Sequence, residues 1–178
     1  MAYITRASSS TVLALDLANF NSTSIPVGAT SQVAAISPDG TRVYVSTSST
    51  SSVKVIDTAT NTVIATIAVG ATPNGLAITP DGSTLFVANT TPNTVTPVNL
   101  ATNTAGAPIA VAGGPNFLSI TPDGKTLYVT LSTAGAVVPI DVATRTVGTQ
   151  IPVGPTPQGI AITPNGLTAY AVVGGTIQ

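Results

Sequence analysis

The stretch Ile78-Thr79-Pro80-Asp81-Gly82-Ser83-Thr84-Leu85-Phe86-Val87 decides the fold, because it is one of four copies at a fixed interval. Its turn reads Thr79-Pro80-Asp81-Gly82. The same mark stands at Ser37-Pro38-Asp39-Gly40, Thr121-Pro122-Asp123-Gly124 and Thr163-Pro164-Asn165-Gly166, each 42 residues from the last. Ile36, Ile78, Ile120 and Ile162 come just before the mark, and Tyr44, Phe86, Tyr128 and Tyr170 follow it. Proline presets φ for the first central position of a tight turn, and Asp and Gly accept the conformations that follow. A turn repeated in register along a whole chain is the mark of a repeat architecture, in which each unit buries its apolar face against the next.

Within residues 71–112 the pattern predicts four strands. Gly75 to Ile78 runs into the Pro-Asp-Gly turn, and Thr84 to Ala88 returns from it. Thr94 to Val98 and Ala107 to Val111 follow, separated by polar turns. Four short strands joined by short turns make an antiparallel meander. No segment has the spacing of an amphipathic helix. A sandwich does not require one unit repeated in register, and a β-helix uses shorter coils. The expected fold is all-β: a β-propeller of four-stranded antiparallel blades with a 42-residue repeat and four blades' worth of chain.

Units 29–70, 71–112 and 113–154 read as whole blades within a single propeller or half-propeller over residues 1–178. Residues 155–178 supply the first two strands of a further unit, and residues 1–28 supply the last three strands of another. These terminal parts are expected to contribute to a closing or exchanged blade, with one second strand duplicated. Closure within one chain gives a four-bladed ring. Two chains related by a two-fold axis give eight blades in trans, and open exchange gives a polymer. The two-chain ring, a homodimer, is the favoured arrangement.

Composition narrows the partners. Charged residues are only 6% of the 178, with five basic residues (Arg6, Arg42, Lys54, Lys125, Arg145) against six Asp. Such scattered cations cannot neutralise a run of phosphates, which argues against nucleic acid. No apolar run is long enough to span a bilayer as a helix, and Met1 to Arg6 does not read as a signal peptide. Cysteine is absent, so there is no disulfide framework. A surface of Thr, Ser, Asn and Gly has little charge repulsion to keep copies apart, which fits ordered assembly.

No catalytic, cofactor-binding or metal-binding residue is assigned. His, Cys and Glu are all absent, which removes serine–histidine triads, cysteine nucleophiles and histidine zinc sites. Asp39, Asp81 and Asp123 read as turn residues; Asp16, Asp57 and Asp141 read as strand-end residues accepting backbone N–H bonds. Asn99 replaces the aspartate in one unit, which tells against a repeated catalytic carboxylate. Carboxylates ringing a channel could hold calcium, but no calcium-loop spacing is present. Gly113-Gly114 lacks the context of a phosphate loop. Tyr44, Phe86, Tyr128 and Tyr170 are expected to pack between blades, and the basic residues to be solvated.

Tyr128-Val129-Thr130, Val53 to Asn61, Ile67 to Gly70 and Pro73 to Gly82 resemble the YVTN-type β-propeller repeats of surface-layer and related secreted proteins. The resemblance covers nearly the whole chain. Related repeats occur in structural surface proteins, binding modules and some enzymes. Taken with the repeat and the nearly uncharged surface, the resemblance leads to the expectation of a non-enzymatic, self-assembling module at the cell surface or outside the cell, with a structural or surface-display role. A protein- or glycan-binding propeller domain, a piece of a lactonase-like propeller enzyme, and an engineered or excised fragment are the competing readings.

Overall fold

The computed structural model describes residues 1–6, 9–174 and 176–177, the last two as backbone only. The first sheet holds β1 (Ala2–Thr5), β2 (Thr11–Leu15) and β3 (Ser22–Pro26). The second holds β4 (Ser31–Ile36), β5 (Arg42–Thr47), β6 (Ser52–Asp57) and β7 (Thr62–Ala68). The third holds β8 (Pro73–Ile78), β9 (Thr84–Asn89), β10 (Thr94–Asn99), β11 (Thr104–Ala105) and β12 (Ile109–Ala110). The fourth holds β13 (Pro115–Ile120), β14 (Thr126–Leu131), β15 (Ala136–Asp141) and β16 (Ile151–Pro152). The fifth holds β17 (Pro157–Ile162), β18 (Ala169–Val173) and β19 (Thr176–Ile177). Every pairing is antiparallel between sequence neighbours, apart from β12, which shares β10 with β11. Among the described residues there is no α-helix, and no strand of the first sheet pairs with one of the fifth.

Each sheet is a blade, and the core lies between blades rather than within one. Tyr44, Val53, Val55 and Ile67 of the second blade meet Leu76, Leu85, Val87 and Val98 of the third. Phe86, Val95 and Ile109 of the third meet Leu118, Leu127 and Val129 of the fourth. Similar clusters join the first blade to the second and the fourth to the fifth. Stability in such a stack is close to a sum of unit and neighbour terms. The first strands β4, β8, β13 and β17 lie side by side in that order and form the inner edge of the array.

The Pro-Asp-Gly turn has a second use beyond reversing the chain. Gly40, Gly82, Gly124 and Gly166 all have φ near +72° or +71°, a conformation glycine adopts without penalty. Each later turn also rests on the one before. A Cβ on Gly82 would stand 3.5 Å from the Pro38 ring, and one on Gly124 3.3 Å from the Pro80 ring. The turns therefore stack from blade to blade as the strands do.

The fourth strand is where the expected pattern fails. In the second blade β7 is continuous, with one register shift between Val55 and Ile56 of β6, and Val55 keeps the N–H that proline lacks at the same place in the next two blades. In the third blade the predicted strand Ala107 to Val111 is reduced to β12, and a separate short β11 pairs ahead of it. Pro97 of β10 has no N–H to give, and its carbonyl instead accepts from Gly106 N at 2.7 Å. The fourth blade repeats this at Pro139, whose carbonyl accepts from Gly148 N at 2.8 Å. Its outer strand shrinks to Ile151–Pro152 plus one isolated bridge, Ile140 to Val147.

Candidate functional site

The inner strands carry a feature that the sequence reading passed over. Their second residues are Gln32, Asn74, Asn116 and Gln158, all carboxamides and all 42 residues apart. At each, the pairing register slips: between Ser31 and Ala34, Pro73 and Leu76, Pro115 and Leu118, and Pro157 and Ile160. A bulge inserts an unpaired residue and re-aims the side chains beside it. Here it turns the amides toward one another. Asn74 Nδ2 donates to Asn116 Oδ1, and Asn116 Nδ2 donates to Gln158 Oε1 at 3.3 Å. Gln32 stands at the other end and donates from Nε2 to Ser48 Oγ at 2.9 Å.

Two buried hydroxyls hold the bulged backbone. Ser46 Oγ donates to the Asn74 carbonyl at 2.7 Å and accepts from Val33 N at 3.1 Å. Thr130 Oγ1 accepts from Phe117 N at 2.9 Å and reaches the Gln158 carbonyl at 3.3 Å. These bonds tie the second blade to the third, and the fourth to the fifth. At the intervening junction the hydroxyl comes from a different place: Thr90 Oγ1 donates to the Pro115 carbonyl at 3.0 Å. Ala88 takes the equivalent place, and Gly75 instead lets the Asn116–Phe117 backbone approach closely; a Cβ there would lie 2.8 Å from Phe117 Cα.

The row forms one side of an open cavity of about 400 Å³ lined by Gln32, Ser48, Asn74, Thr91, Asn116 and Gln158, among others. Among the described residues no ionisable side chain lines it. Its chemistry is that of neutral hydrogen bonding, with amides supplying both donors and acceptors and hydroxyls supplying either.

The aspartates singled out from sequence lie in the turns. Asp39 accepts from Ser37 Oγ and Thr41 N; Asp81 accepts from Thr79 Oγ1 and Ser83 N; Asp123 accepts from Thr121 Oγ1 and Lys125 N. These hydrogen bonds, the side-chain hydroxyls first, hold all three carboxyls below the usual carboxylate range. Asp57 and Asp141 are lowered chiefly by the backbone N–H of Thr60 and of Thr144. Asp16 caps Ala18 N, and Asn99 does the same for Ala101 and Thr102. Asn99 therefore keeps the turn's hydrogen bonds with no charge. Among the described residues no three His, Cys, Asp or Glu side chains gather where a metal could sit.

The aromatic series packs between neighbouring blades of the described array. Tyr44 and Phe86 are buried, Tyr128 is partly buried against the fifth blade, and Tyr170 is 50% exposed. A further member emerges at Tyr3, 41 residues before Tyr44, whose hydroxyl donates to Asn61 Oδ1 at 2.8 Å. Of the basic residues expected to be solvated, Arg42 is instead half-covered and paired with Asp57 at 2.6 Å. Arg145 is exposed but lies over the Phe86 ring, 5.4 Å from its centre.

Stacked four-stranded meanders with their first strands on the inside define the β-propeller class. No protein-family model matches the chain, and no curated protein matches it. Solved propeller structures do. The chain is similar to Kuenenia stuttgartiensis hydrazine synthase at 29% identity and a TM-score of 0.90, over 95% of this chain and 51% of that one. It is also similar to a functionally unknown protein from Desulfotomaculum acetoxidans (17% identity, TM-score 0.82, 96% of this chain and 58% of that one). Virginiamycin B lyase from Staphylococcus aureus matches at 15% identity and a TM-score of 0.80, over 99% and 64%. The chain spans about half the length of the hydrazine synthase chain and less than two thirds of the other two.

Proposed function

We propose that the chain is a non-enzymatic propeller module that assembles with a second copy of itself and serves a structural or surface-display role. The observation that carries this reading is the pair of blade faces at its two ends. Inside the stack, Tyr44 is 3% exposed and Phe86 0%, while their counterpart Tyr170 on the last blade is 50% exposed. At the other end, Ile4 is 42% exposed, whereas Val45, Val87 and Val129, which hold the same place in later blades, are 0%. The Tyr170 face is thus of the kind that receives a following blade, and the Ile4 face of the kind that packs on a preceding one. The two are complementary by the same repeat that builds the internal junctions. A second copy with its Ile4 face on Tyr170, and the reciprocal contact, closes a two-fold ring.

The charge-poor surface supports close assembly. The resemblance to YVTN-type repeats supports placement at the cell surface or outside the cell. The enzyme readings draw no support from the carboxylates, since those described are taken up by their own turns. A reporter at the exposed face tests the assembly. The chain has no tryptophan, so Tyr170→Trp introduces a single one. Its emission is expected to shift to the blue as protein rises from about 0.1 to about 100 μM, following mass action. Emission that does not change with concentration contradicts the proposal.

A further inference from the structure

We infer that the carboxamide row on the inner edge is a binding site for a neutral saccharide. The inference stands on the site itself and does not rest on the assembly proposed above. Four residues at one structural position carry the same functional group, although nothing in a bulge demands an amide there. The turn-forming role of Asn or Asp does not explain them, because they sit within strands rather than in turns. Their hydrogen bonds run head to tail from Asn74 through Asn116 to Gln158. Among the described residues, such a chain ends in an acceptor with no partner, Asn74 Oδ1, and a donor with none, Gln158 Nε2; Gln32 Oε1 is a further oxygen without one. These open groups border a cavity of about 400 Å³, within the size range of small-molecule sites.

The chemistry of the lining chooses the ligand class. A charged ligand would lose its hydration with no opposite charge to meet it, because among the described residues no ionisable side chain lines the cavity. An apolar ligand would leave the amides unpaired. A sugar presents hydroxyls that each donate and accept, matching amides and threonine or serine hydroxyls alike. The hydroxyl-pinned bulges at Asn74 and Gln158 fix the amides before any ligand arrives, which reduces the ordering cost of binding.

The test is titration of the isotope-labelled chain with cellobiose and with N,N′-diacetylchitobiose, followed by the side-chain amide resonances. Saturable shifts are expected in the NH₂ signals of Gln32, Asn74, Asn116 and Gln158, with those of Asn61 and Asn103 in the outer turns unmoved. A dissociation constant on the order of 1 mM is expected for an open site of this kind. Asn116→Leu should weaken binding about tenfold through loss of the central hydrogen bonds. Gln158→Leu provides the same readout at a less buried position if Asn116→Leu does not fold. The inference is overturned if neither disaccharide shifts the four signals, or if the two substitutions leave binding unchanged. It is equally overturned if citrate or the neutral peptide N-acetyl-trialanine amide binds the row in preference to the sugars.

Discussion

Replacing Phe86 by alanine should destabilise the chain more than any substitution on its exposed turns. The ring is fully buried between Ala77, Ala88 and Val95 of its own blade and Leu118, Leu127 and Val129 of the next. Deleting a buried Phe side chain removes its transfer free energy and leaves a cavity that a close-packed core only partly refills, together about 3–5 kcal/mol. With a urea slope of about 2 kcal/mol per molar, the unfolding midpoint should fall by about 2 M. Leu167→Ala is the control: Leu167 is 82% exposed in the last Pro-Asn-Gly turn, and its loss should change stability by less than about 0.5 kcal/mol. Circular dichroism of the strand signal against urea reads both. Because each blade touches only its neighbours, Phe86→Ala should also broaden the transition by uncoupling blades on either side of the damaged junction. A cost for Phe86→Ala below about 1 kcal/mol, or one equal to that of Leu167→Ala, would refute the inter-blade core.

Two further outcomes follow from single contacts and charges. Gly75→Ala should destabilise by about 1–3 kcal/mol, since its Cβ would meet the Asn116 carbonyl and the Phe117 backbone, neither of which can rotate away; thermal unfolding reads it. The pH profile should be level from about pH 5 to 8, because the chain has no histidine. The carboxyls of Asp39, Asp57, Asp81, Asp123 and Asp141 are lowered in the fold. Their contribution is therefore present above the unfolded carboxylate value of about 3.9 and is lost as pH falls through the folded values. At the alkaline end burial raises the Tyr44 phenol, so stability should fall once pH passes the unfolded tyrosine value of about 10. Melting temperature against pH checks both limbs.

The repeat made the blade legible because its turn is a local device. Pro-Asp-Gly dictates its own geometry, and the aromatic 42 residues on from Tyr44 or Phe86 marks the same junction each time. What sequence reading missed depends on pairing across strands. Pro97 and Pro139 look like ordinary strand residues until the partner strand must do without their N–H, and the outer strand breaks there. Tyr3 was hidden because the first blade runs one residue short of the common period. The carboxamide row was visible as spacing, since Gln32, Asn74, Asn116 and Gln158 each lie five residues before the turn mark. Amides carry no charge and belong to no catalytic motif, so a search for acids, bases and metal ligands passes over them. Only the bulges reveal that they face one another. The alternation of Ser46 and Thr130 with Ala88 and Val172 is likewise in the sequence, but its meaning comes from which hydroxyls reach the next blade's backbone.

The mass of the protein in solution, measured by light scattering on a sizing column over a range of concentrations, bears most directly on the account. Blade faces left open at Ile4 and Tyr170 predict a species of twice 17.5 kDa that forms as concentration rises and does not grow further. A monomer of 17.5 kDa at every concentration would contradict it.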